Sequence, residues 1–147
     1  MKLAIVLTRD HRLLSVAAIL DVFETVNRFY QESGQPPFFS IDLVHAPQWE
    51  PAPYPGYILQ QADTKIYDLI LLPAFRSEGL TELQQNFELI PWLQQQYQQG
   101  AALASFCTGA FLLAATGLLN DRPATTHIDA GYAFSTAFPK YTCSRMR

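Results

Sequence analysis

The chain has 147 residues and a formal net charge of −3; 49% of its residues are hydrophobic and 16% are charged. That is the length of one domain, with enough apolar residue for a sizeable core, and the absence of a basic excess argues against a self-sufficient nucleic-acid binder. Two cysteines make no disulfide framework, and the apolar run after Lys2 is too short for a signal-peptide core or a membrane span, so a cytoplasmic location is expected.

In chain order, Leu3–Leu7 is a continuous apolar run of the kind that suits a parallel strand covered on both faces. Thr8–His11 makes the turn. Apolar residues then recur at helical spacing from Leu13 to about Tyr30 (Leu14, Ala17, Ala18, Val22, Val26 and Phe29), and Ser33-Gly34 followed by Pro36-Pro37 ends that helix. Phe38–His45 alternates and is rich in β-branched and aromatic residues, which predicts a second strand. Pro47–Pro55 is too proline-rich for regular structure, and Tyr57–Gln60 reads as a short edge strand. Asp68–Pro73 is another buried parallel strand, and Ala74–Gly79 is a loop at its carboxyl end. Thr81-Glu-Leu-Gln84 fits a capping box for an amphipathic helical stretch running to Gln99, with Pro91 starting a second segment. Strands alternating with helices predict an α/β fold, a doubly wound parallel sheet with helices on both faces.

The stretch Ala101–Asn120 is the most informative. Small and apolar residues stop at Cys107, and a helical pattern runs from Thr108 to Gly117. Strand, sharp turn and helix place the Cys107 thiol at the carboxyl end of a buried strand and at a helix N-terminus. Ligands sit on that edge of open α/β sheets, and amides and helix dipole there favour a thiolate. His127 follows a turn through Asn120–Pro123, and a cysteine and histidine brought together across two loops can serve as nucleophile and base. His11 and His45 read as surface or turn residues. Phe75 and Phe106 are candidate pocket walls, and Arg76 is a candidate cation for a carboxylate ligand. No His/Cys/Asp spacing suggests a metal site, and no cofactor is expected.

The run Phe106–His127 closely resembles the PfpI-like branch of the class I glutamine amidotransferase-like superfamily, in particular the domain N-terminal to AraC-type DNA-binding domains of bacterial transcription regulators. Leu20–Asn27 resembles that subgroup's first helix and Asp68–Pro73 the strand before its nucleophile-facing loop. The resemblance covers residues 1 to 139. It implies a flavodoxin-like domain, commonly dimeric, sensing a small nitrogenous or amino-acid-derived metabolite, with Cys107 as the elbow cysteine and His127 as the histidine that follows it.

The chain departs from the pattern in three places. Ser15 stands where enzymes and thiol sensors of the superfamily carry an acidic residue beside the cysteine. Ala74-Phe75 replaces the paired glycines that free amides for an oxyanion. Residues 140–147 form an atypical tail in which Cys143 is expected to be a free thiol, and the domain is expected to be incomplete at its C-terminal end.

The leading expectation is the small-molecule-sensing domain of an AraC-type regulator. Its ligand residues would be Ser15, Ala74, Phe75, Arg76, Cys107, Thr108 and His127, with no DNA contact by this chain. The alternatives are a cysteine-dependent hydrolase or glyoxalase-like enzyme, with Cys107 and His127 as nucleophile and base, and a thiol redox sensor that oxidises at Cys107.

Overall fold

The computed structural model of the chain describes residues 1–76, 80–140 and 142–143. Its frame is a five-stranded parallel sheet made of β1 (Lys2–Leu7), β2 (Ser40–His45), β3 (Leu59–Gln61), β4 (Leu69–Leu72) and β5 (Ala102–Ser105), in the order β3-β2-β1-β4-β5. β1, apolar from Leu3 to Leu7, and β4 lie side by side with Ala4 against Ile70. Burial on both faces explains why neither strand alternates.

Strand alternation divides the core in two. Leu3, Ile5 and Leu7 of β1 join Val16, Ile19 and Leu20 of helix α1 (Leu13–Glu32) on one face. Ala4 and Val6 join α2 (Leu80–Gln84), α3 (Ile90–Gln98), α4 (Gly109–Ala115) and α5 (Gly131–Ala137) on the other. The expected doubly wound sheet is therefore present. Progress along the sheet reverses at β4, so right-handed crossovers must put α3 on the face opposite α1.

Four details differ from the sequence expectation. The outward stripe of α1 is the one the spacing picked out: Leu14, Val22 and Phe29 are exposed, and Val16, Ile19 and Leu20 are buried instead. The helix is apolar on two sides, and periodicity alone does not say which side packs. The stretch 81–99 falls into two helices, as the second start expected at Pro91 implies, but the first ends early, at Gln84. α2 gives way to a 3-10 turn (Phe87–Leu89) and then α3, with Pro91 in the first turn as expected. Asn86 marks the break. Its buried side chain accepts from Arg9 N–H at 2.7 Å and donates to the Glu82 carbonyl at 3.2 Å. α2 begins at Leu80, so Thr81 lies inside its first turn rather than capping it. β5 is an edge strand of alternating exposure, not a buried one.

α5 was not foreseen. Only Phe134 is buried on it, at 5.1 Å from the Phe111 ring in an edge-on contact. Two residues of the tail, Thr142–Cys143 (β7), pair in parallel with Pro123–Ala124 (β6). The expectation for the Cys143 thiol lies outside the described residues. Among the described residues no helix is long and apolar enough to cross a membrane.

Candidate functional site

The order reverses between β1 and β4, and the loops that leave these two strands meet over that point. Arg12 N–H donates to the Ala74 carbonyl at 2.8 Å, Arg76 N–H to the Asp10 carbonyl at 2.9 Å, and His11 forms an antiparallel bridge with Phe75. Switch points at the carboxyl edge are where open α/β sheets place ligands. The β5 edge adds the third loop, where Phe106 N–H donates to the Leu72 carbonyl at 2.9 Å and sets the start of the elbow.

Cys107 is the elbow residue. It has a φ of 54° and is exposed. That left-handed conformation costs a non-glycine residue of order 1–3 kcal/mol, and such strain is held in place by its surroundings. Gly109 shows what holds it. A Cβ at this position would collide with the carbonyl oxygens of Leu72 and Pro73, so only glycine lets α4 approach the end of β4. The sequence Cys107-Thr-Gly109 thus encodes both the turn and the packing that fixes it.

Ser15 and Thr108 do something the sequence reading did not foresee. Ser15 Oγ accepts from Ala74 N–H at 3.0 Å. Thr108 Oγ1 accepts from Phe75 N–H at 3.0 Å and donates to the Phe75 carbonyl at 2.7 Å. The two amides that follow β4 are therefore already satisfied by side chains. The signal in the sequence is only the identity of Ser15 and Thr108. Their partners lie 59 and 33 residues away.

Of the other expected residues, Phe75 is fully buried in the core, so what it offers the site is its backbone. Phe106 is partly exposed, and Arg76 is exposed on the same edge. His127 stands at the start of a 3-10 turn (Ile128–Ala130), where its Nδ1 accepts from Asp129 N–H at 3.3 Å and lies 3.8 Å from Asp129 Oδ2. In the neutral ring that leaves the proton on Nε2, which then donates rather than accepts. The preceding residue reaches the elbow, with Thr126 Oγ1 donating to the Cys107 carbonyl at 3.1 Å. The fold thus docks the His127 segment on the elbow. Among the described residues, however, no hydrogen bond joins the Cys107 thiol to the His127 ring.

The histidines read as surface residues hold the proline-rich loop instead. His45 is buried, and its Nδ1 faces the Trp49 carbonyl at 2.6 Å and that of Ala46 at 2.9 Å. His11 bridges the Thr8 carbonyl and Tyr54 Oη, each at 2.8 Å. Arg9 lies over the Trp49 ring and pairs with Glu88 at 3.0 Å, so its charge is already engaged. Burial pushes the Tyr54 hydroxyl above its ordinary range. No group of three or more His, Cys, Asp or Glu among the described residues could hold a metal ion.

The chain matches the DJ-1/PfpI family over residues 53–141, more than half its length and including the elbow. No curated protein matches it. Among solved structures, a proposed transcriptional regulator from Vibrio parahaemolyticus is similar over 100% of this chain and 77% of its own, with 19% identity and a TM-score of 0.78. An AraC family transcriptional regulator from Pseudomonas putida is similar over 95% and 74% respectively, at 17% identity and a TM-score of 0.65. A DJ-1 superfamily protein from Agrobacterium tumefaciens gives 96% and 70%, 20% identity and 0.63. At these identities the likeness is one of fold.

Proposed function

This chain belongs to the DJ-1/PfpI family, and from that premise we propose that it is a ligand-sensing domain of a transcription regulator rather than a cysteine-dependent enzyme. One observation carries the reading. The hydroxyls of Ser15 and Thr108 accept from the Ala74 and Phe75 amides, which stand where the family resemblance implies the donors for an oxyanion. An acyl-transfer enzyme needs such donors free and aimed at the developing charge, and losing one typically costs about 10²–10³ in rate. The same hydroxyls serve binding well, because they hold the loop and the elbow in one arrangement and so lower the entropy lost when a ligand is captured.

The similarity to two structures described as transcriptional regulators supports the regulatory reading. The ligand would be a small nitrogenous or amino-acid-derived metabolite. It would be held at the carboxyl edge by the exposed Cys107 and Arg76, with Thr108, Ser15, the Ala74-Phe75 backbone and His127 around it. A carboxylate on such a ligand suits Arg76, whose guanidinium is a planar donor of permanent charge. The protein would need no metal or cofactor for this task, and contact with DNA would fall to another domain or partner.

The test is a thermal-shift screen of the chain against amino acids, their amines and their oxo acids. A member of the panel should raise the melting temperature in a saturable way, and Cys107→Ala and Arg76→Ala should each weaken that shift. No stabilisation by any member of the panel would count against the reading.

A further inference from the structure

Two buried side-chain oxygens at the carboxyl end of β1 have no hydrogen-bond partner, and both belong to segments joined by Asn86. Thr8 directly follows β1 and is only 1% exposed, yet its Oγ1 bonds to nothing among the described residues. By strand alternation its side chain continues the side of Ala4 and Val6, toward the layer that holds α2. Glu82, the third residue of α2, turns Oε2 away from solvent, and that oxygen is unpaired too. Asn86 ties the two segments together, accepting from Arg9 N–H at 2.7 Å and donating to the Glu82 carbonyl at 3.2 Å. Arg9, one residue from Thr8, is engaged by Glu88 and lies over Trp49, so among the described residues Glu82 has no ion pair.

Oxygens of this kind weaken a fold, because burial removes their water and gives nothing back. Here they lie where the loops after β1 and β4 meet. His11 N–H donates to the Thr8 carbonyl and His11 bridges Phe75, while Arg76 N–H donates to the Asp10 carbonyl. We propose that Glu82 and Thr8 hold the protonated amine of the metabolite, Glu82 as its counter-charge and Thr8 Oγ1 as a second acceptor. This rests on the ligand-sensing reading and narrows it to a ligand with a primary ammonium. An ammonium has three donors and no acceptor, so it can serve both oxygens at once. Its charge also offsets the carboxylate in a place shielded from water, where the attraction is stronger. Arg76, six residues before Glu82, offers the opposite charge on the same edge, so the two ends of an amino acid find partners of opposite sign. The matching oxo acid keeps the carboxylate but brings an acceptor to Glu82, which then stays uncompensated.

The test is calorimetric titration of the whole chain with amino acids, each paired with the oxo acid of the same skeleton (alanine with pyruvate, aspartate with oxaloacetate, phenylalanine with phenylpyruvate, and so through the standard set). An amino acid should bind about tenfold or more tighter than its oxo acid. Glu82→Gln removes the charge and Thr8→Val the hydroxyl, each at nearly constant shape. Each should erase most of that preference and leave the oxo acid's affinity within about twofold. Each should also leave the melting temperature of the ligand-free chain unchanged or higher, since neither oxygen bonds anything within the fold; a structural role would lower it. A preference that survives both substitutions, or a ligand-free chain that both destabilise, would overturn the assignment. Equal binding of an amino acid and its oxo acid would overturn it while the ligand-sensing reading stands, and no binding by any pair would end both.

Discussion

At Cys107 and Gly109, a few atoms decide what the elbow can be. Gly109 was legible as part of a helix start, but the reason for glycine lies in β4, more than thirty residues upstream. Replacing it with alanine drives a methyl into two backbone oxygens that have no freedom to move. We expect Gly109→Ala to cost about 1–3 kcal/mol or more in chemical denaturation, well above the small gain an alanine gives an ordinary helix position; a neutral result would mean the helix can shift off the strand. Cys107 was legible as the elbow because small residues, cysteine, threonine and glycine come in that order. The roles of Ser15 and Thr108 were not legible, because a hydroxyl in a sequence does not say which distant amide it meets.

At the level of elements, the strands came through best. β1 and β4 are unbroken apolar runs that only a sheet covered on both faces accommodates, and β3 was placed at the edge to within about two residues. Helices were harder for a physical reason. α1 has apolar residues around most of its circumference, so its period was evident while its buried side was not. The stretch 81–99 is amphipathic throughout, yet Asn86 turns inward to serve Arg9 of another segment, and the helix breaks there. α5 escaped notice because a seven-residue helix with one buried aromatic residue leaves almost no periodic signal. β5 looked buried from its small apolar residues, but its place at the end of the sheet exposes alternate positions.

For the molecule as a whole, a polar network below the site ties the crossover into β4 to the sheet. Tyr67 Oη donates to Asp42 Oδ2 at 2.8 Å, Lys65 pairs with the same carboxylate, and the Gln96 side chain accepts from Tyr67 N–H and donates to the Lys65 carbonyl. Burial, followed by the hydrogen bond and the negative charge of Asp42, pushes the Tyr67 hydroxyl well above its ordinary value of 10.0. A tyrosine whose folded-state pKa is raised holds a proton that the unfolded chain releases. Its stabilisation is therefore complete below about pH 10 and falls as pH rises above that, with a slope approaching 1.4 kcal/mol per pH unit. Urea denaturation between pH 8 and 11.5 should show this decline, and Tyr67→Phe should flatten it. An unchanged slope in the variant would place the alkaline sensitivity elsewhere.

On the proposed reading, this carboxyl edge captures a metabolite without transforming it. The most direct test follows one NMR sample in two ways: the ligand's own proton signals, and the backbone amides of Ala74–Arg76 and Phe106–Thr108, during titration with a metabolite identified by the thermal screen. We expect saturable shifts in both loops while the ligand is recovered chemically unchanged after prolonged incubation. Steady conversion of the ligand by the wild-type chain, abolished in Cys107→Ser, would contradict it and make Cys107 a nucleophile.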